Sequence, residues 1–216
     1  MDEDRGRTPG LPTIGHAMSE RHTPVELSAP QRHGVLPILV NVLGNQLVWL
    51  VAVIAAGKDM AWPGVLASAV FVGLHLRVAR TPLVELKLVV AAIGCGLLVD
   101  GVAGSQGWLV YRAAPLGSAI AAPWILALWA ALAVTLTVSM HGLQRRLWLA
   151  MIVGGIGGPL AYLAAARGWG SVALVNPEWV GLLWLGSAWA VALPGLLWAA
   201  RYLTATTLRR RKTSSA

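Results

Sequence analysis

The chain has 216 residues, a formal net charge of +8, 56% hydrophobic and 12% charged residues, and a mean hydropathy of +0.66. Soluble domains carry about 25% charged residues, so this composition excludes an ordinary soluble enzyme or nucleic-acid-binding module and indicates an all-α, polytopic membrane protein. A single cysteine, Cys95, excludes an intramolecular disulfide, and the fold must rest on helix packing.

Residues 1–34 mix Pro, Ser, Thr, His and both charges without periodicity and read as a disordered arm. The first apolar run begins near Val35 and is too long for the core of a cleavable signal. Six apolar stretches follow, residues 36–56, 61–79, 83–105, 122–142, 147–166 and 179–203. Each is long enough to cross a ~30 Å hydrocarbon core as a helix. They form one domain over 35–203, a bundle of six transmembrane helices, and residues 204–216 form a basic tail.

In the first span Asn41 and Asn45 are four residues apart on one face, with Gln46 beside them. Asn45 lies ~14 Å from the start of its helix, close to the membrane midplane. His75 ends the second span, Glu85 begins the third and His141 ends the fourth, all towards the same side. Polar groups within a membrane are functional by default, so these six residues are the candidate polar pocket. The competing reading of the two Asn and the Gln is interhelical hydrogen-bond glue, worth about 0.6 kcal/mol each. Two His and one Glu on separate helices lack the spacing of a metal motif. Neither a metal nor a cofactor is expected, and no catalytic constellation is recognisable.

The third span ends in "GCGLLVD". Its Asp100 lies about 22 Å along the helix from Glu85 and therefore near the opposite interface. It is expected to pair with Lys58, Arg112 or Arg167, and proton coupling is its alternative role. The connection 106–121, "QGWLVYRAAPLGSAIA", is too apolar to float in water. It is expected in the interface, with Trp108 and Tyr111 at headgroup level and Arg112 snorkelling. Trp62, Trp108, Trp124, Trp169 and Trp179 all fall at that side and read as an aromatic belt.

The stretch "MIVGGIGGPLAYLAAARG", residues 151–168, is rich enough in glycine to raise a phosphate loop. It lacks the Lys-Ser/Thr pair of one nucleotide motif and the third glycine of the other. In a span, Gly154 and Gly158 form a GxxxG ridge with Ala150, and Gly157, Ala161 and Ala165 form a second. Pro159 removes a helix hydrogen bond and is expected to bend the helix. Of the 17 Lys and Arg, only Lys58, Arg112 and Arg167 fall on the side opposite the termini. The positive-inside rule then places both termini in the cytoplasm, in a bacterial inner membrane. The positive charge is a topology signal that requires no nucleic-acid partner.

The ordered set "NQLVWL" at 45–50, "HLR" at 75–77, "PWILALW" at 123–129, "GGIGGPLAYLA" at 154–164 and "WAVALP" at 189–194 resembles the bacterial integral-membrane family called domain of unknown function 2878. The resemblance covers roughly residues 36–203. It implies a polytopic inner-membrane protein without an assigned activity, and a setting near lipid-modifying enzymes such as cyclopropane-fatty-acid synthases. The expected function is accordingly a non-catalytic subunit or scaffold associated with membrane-lipid modification, with membrane lipids and a lipid-modifying enzyme as partners. A small carrier for a lipid or amphipathic solute is the alternative, favoured by the polar first span and by prolines 159 and 194. A membrane-embedded lipid enzyme is the third.

Overall fold

Apolar stretches surrounded by lipid have no water to satisfy their backbone and must close their hydrogen bonds internally, which helices do. The computed structural model describes residues 34–117 and 120–213. Its elements in chain order are α1 (Val35–Gly57), α2 (Trp62–Val78), α3 (Pro82–Ser105), β1 (Leu109–Tyr111), α4 (Pro123–Ala133), a 3₁₀ turn (His141–Arg145), α5 (Leu147–Trp169), β2 (Val172–Leu174) and α6 (Glu178–Thr213). Helices α1, α3, α5 and α6 are long and apolar enough to cross a membrane, while α2 and α4 are shorter apolar helices. The protein is a multi-pass helical membrane protein. Apart from Gly34, the expected arm lies outside the described residues, as do 214–216 of the tail. Residues 204–213 continue α6 as helix.

The fourth expected span, 122–142, is not one helix. Helix α4 stops after 11 residues and the chain continues through turns over 134–140 into the 3₁₀ turn. In the segment "VTLTVS" at 134–139 every residue but Leu136 is β-branched or carries a hydroxyl, and such residues are weak helix formers. The Thr135 hydroxyl donates to the Leu132 carbonyl at 2.7 Å, competing locally with the backbone. Carbonyls freed by the break are recovered by side chains from elsewhere. Asn41 Nδ2 donates to the Val134 carbonyl at 3.2 Å and Gln144 Nε2 to the Leu136 carbonyl at 2.8 Å. A broken helix is tolerated in a membrane under that condition.

Helix α5 packs chiefly on α6, along the GxxxG ridge. A Cβ on Gly158 would lie 2.5 Å from Cγ of Trp189, and one on Gly154 would collide with the Trp189 carbonyl. Only glycine admits that approach. The second ridge is divided: Ala161 and Ala165 border a cavity, whereas a Cβ on Gly157 would meet open space. Helix α5 runs unbroken through Pro159, and α6 through Pro194.

Contacts between helix ends define two ends of the bundle. Arg112 Nη1 donates to the Gly57 carbonyl at 3.0 Å, Trp124 Nε1 to the Arg112 carbonyl at 2.9 Å, and Arg167 pairs with Glu178 at 2.7 Å. These bonds tie the C-terminal end of α1 to the N-terminal end of α4 through Arg112, and the C-terminal end of α5 to the N-terminal end of α6. The connection 106–121 supplies β1, which pairs with β2 in a two-stranded antiparallel ribbon at this end, with Leu109 opposite Leu174 and Tyr111 opposite Val172. Strand alternation turns Leu109 and Tyr111 inward and Val110 outward. Tyr111 is therefore packed into the protein core. The belt is also smaller than expected: Trp62 and Trp179 are exposed, but Trp124 is buried.

Candidate binding site at Asp100 and the aromatic cavity

Asp100 on α3 is completely buried. A carboxyl group in that position is costly unless its oxygens are occupied, and three side chains from three elements occupy them. Tyr111 of β1 and Tyr162 of α5 donate their hydroxyls to Oδ1, the former at 2.9 Å. Trp129 of α4 donates its indole N–H to Oδ2 at 2.7 Å. Gly96, one turn before Asp100 on the same face of α3, makes this possible. A Cβ at Gly96 would strike the Trp129 ring, so the glycine forms the seat on which the indole lies while it reaches Asp100.

The expected ion pair of Asp100 with Lys58, Arg112 or Arg167 does not form. Arg112 is taken by the Gly57 carbonyl and by Asp59, at 3.5 Å, and Arg167 by Glu178. The reason is depth: those cations stay at the bundle end in water, where a guanidinium keeps its hydration, while Asp100 points between the helices to neutral donors. Tyr111, in the ribbon outside the helices, is the donor that sequence reasoning placed elsewhere. Burial above all, and then the Asp100 carboxyl, push its phenol far above the ordinary range, so it remains protonated and donating.

Trp129 and Tyr162 have a second side, which faces a cavity of about 120 Å³. Trp49 of α1, Trp124 of α4 and Trp189 of α6 complete its aromatic wall, with Asn45 of α1 as the polar lining residue. Trp189 stacks on Trp129 with ring centroids 4.3 Å apart, and Trp49 meets Trp169 edge-on at 5.5 Å. Asn45 has no hydrogen-bond partner among the described residues. The buried Trp189 N–H makes no hydrogen bond of acceptable geometry either. The cavity thus combines apolar π surfaces with an open amide, the composition of a small-molecule site.

The remaining candidate pocket residues separate. At the end of the bundle away from the ribbon, the buried Glu85 accepts a hydrogen bond from the Thr137 hydroxyl at 2.8 Å, and its other oxygen lies 3.5 Å from His75 Nε2. Asn41 belongs to the helix break, where it also accepts from the Ser139 hydroxyl at 2.7 Å. His141 opens the 3₁₀ turn, and Gln46 is exposed on α1. The structure therefore joins His75 to Glu85 but sends Asn45 to the aromatic cavity. No cluster of three metal-ligating side chains occurs among the described residues.

A family model described as a protein of unknown function, DUF2878, matches residues 38–195. The chain belongs to this family. No curated protein and no solved structure gives a match. Four of the five family stretches read from the sequence meet in space: "NQLVWL" supplies Asn45 and Trp49, "PWILALW" supplies Trp124 and Trp129, "GGIGGPLAYLA" supplies Tyr162, and "WAVALP" supplies Trp189. Four segments far apart in the family domain thus converge on one cavity and the carboxyl group behind its wall.

Proposed function

We propose that this DUF2878 protein binds a lipid-like, amphipathic molecule in the aromatic cavity, as a small carrier or receptor within the membrane. The observation that carries this reading is the convergence of four family segments on a cavity whose Asn45 amide is open and whose walls are aromatic. Cavities of this size lined by apolar side chains accept ring-sized or short-chain groups, as an engineered ~150 Å³ cavity accepts benzene. A membrane lipid or an apolar solute reaches such a site from the bilayer.

The reading includes a topology of six crossings. Its support is that α2, at about 26 Å, and α4 with residues 134–145 both run from the ribbon end to the Glu85 end, as the four long helices do. The ribbon end carries Lys58, Arg112 and Arg167, whereas the other Lys and Arg of the domain and tail belong to the Glu85 end. The positive-inside rule then puts both termini in the cytoplasm of a bacterial inner membrane.

The test is to purify the protein from bacterial membranes in mild detergent and identify the small molecules that remain bound. Wild type should retain one amphiphile near stoichiometry. Ala161→Phe, which fills the cavity from its α5 side, and Asn45→Ala, which removes the open amide, should lose it while melting near the wild-type temperature. Equal retention by all three proteins would overturn the proposal.

A second reading, a membrane subunit or scaffold for lipid-modifying enzymes, is favoured by Gln46. This amide is exposed in the middle of α1 and has no hydrogen-bond partner among the described residues. A mid-span amide facing lipid is relieved by a helix from another protein. Under this reading Gln46→Leu abolishes co-purification of the partner and spares retention of the amphiphile.

A further inference from the structure

The chemical class of the ligand can be narrowed, on the basis of the cavity reading above. We propose that the cavity receives an organic ammonium group, tertiary or quaternary, that carries an apolar substituent. Four tryptophans and a tyrosine line the cavity, and no charged residue does. Behind that wall stands Asp100, one hydrogen bond away through Trp129 and through Tyr162. Among the described residues no cation is paired with it. The Trp129 indole can only donate and both tyrosine hydroxyls can donate, so the surroundings supply three hydrogen bonds to an ionised carboxylate. An ionised Asp100 sets beside the cavity a negative charge that these neutral dipoles solvate and that no cation among the described residues pairs.

Such a site discriminates between ligands. An anionic head, phosphate or carboxylate, meets no cation in the cavity and is repelled by Asp100. A neutral apolar group gains only contact area. An ammonium group gains in addition the attraction of aromatic faces, which is strongest for tryptophan and larger in a desolvated setting. Because Trp129 and Tyr162 donate hydrogen bonds to Asp100, hydrogen bonding polarises both rings in the sense that makes their faces more negative. The Asn45 carbonyl oxygen adds a neutral acceptor to the wall. A trialkylammonium group matches the cavity in size, in its apolar skin and in charge.

The same chemistry is available from a choline lipid headgroup and from a free amphipathic amine, and the experiment separates the two. The full chain in dodecyl maltoside is titrated calorimetrically with benzyltrimethylammonium and with its uncharged carbon isostere, neopentylbenzene. The cation should bind on the order of tenfold more tightly. Trp49→Leu, at the half-exposed edge of the wall, should bring the cation down to the affinity of the isostere, whereas Trp49→Phe keeps most of the preference. Asp100→Asn should also reduce the preference, and if it does not fold the Trp49 pair still decides. Added dilauroylphosphatidylcholine that competes with the probe supports the headgroup as the source, and unchanged affinity supports a free amine. If the isostere binds as tightly as the cation, the ammonium proposal fails and the cavity reading stands. If neither probe binds while wild type retains its own amphiphile, the ammonium proposal also fails. If neither binds and nothing is retained, the cavity reading falls with it.

Discussion

Tyr111, in a short strand outside the helices, donates its hydroxyl at 2.9 Å to Asp100, which is completely buried within α3. This bond ties the ribbon at one end of the bundle to the polar centre beside the aromatic cavity. It also explains why a connection that is apolar enough to rest in lipid is held on the protein instead.

Tyr111→Phe should destabilise the protein by roughly 1.5–3 kcal/mol, the range for a buried hydrogen bond to a charged group. Val110→Ala, one residue away on the outward side of the same strand, should change little. Thermal melting in detergent checks both, and an equal effect of the two would show that Tyr111 acts only through packing.

Gly96→Ala should cost about 1–3 kcal/mol through overpacking, because the added methyl meets the Trp129 ring. The displaced indole should also change the near-ultraviolet circular dichroism. Gly94→Ala is the control: its Cβ meets nothing within 4 Å. That change should be neutral or slightly stabilising, since alanine is the better helix former.

Gly158→Leu should separate α5 from α6, because the Trp189 ring already fills the space. Gly157→Leu, its immediate neighbour, points into open space and should be tolerated. If melting curves show the same loss for both, the α5–α6 seam is not the interface that the ridge forms.

Reporter fusions test the proposed topology. Insertions near Lys58, after Ser105 and at Gly168 should report the periplasmic side, and fusions near Arg80, at Arg146 and at the C-terminus the cytoplasmic side. A signal near Arg80 that matches Lys58 would mean that α2 does not cross.

Arg167→Ala removes an exposed ion pair with Glu178 and should cost no more than about 1 kcal/mol, less in high salt. A larger loss, measured by melting at two ionic strengths, would show that the pair anchors the junction of α5 and α6.

Hydropathy and small-residue spacing are local properties, and they determined much of this protein. Runs of about 20 apolar residues impose helices wherever backbone groups cannot reach water, so the helical membrane architecture, the long helices and, except at the C-terminal end of α6, their limits to within a few residues follow from the chain alone. The GxxxG ridge at Gly154 and Gly158 is also local, since two glycines at helical spacing leave a groove whatever fills it, and the family stretches were legible as an ordered set. Tertiary structure decided what those local features meet. Asp100 takes neutral donors from β1, α4 and α5 because depth outweighs the pull of cations at the rim. Helix α4 stops at Ala133 because Asn41 and Gln144, distant in sequence or beyond the break, satisfy the carbonyls it releases. Trp124 leaves the expected belt and joins Trp49, Trp129 and Trp189 around a cavity, since a tryptophan near a helix end suits an interface or a core equally until its neighbours are in place. Partners from separate helices carry no spacing signal in one sequence, and the site is made almost entirely of such partners.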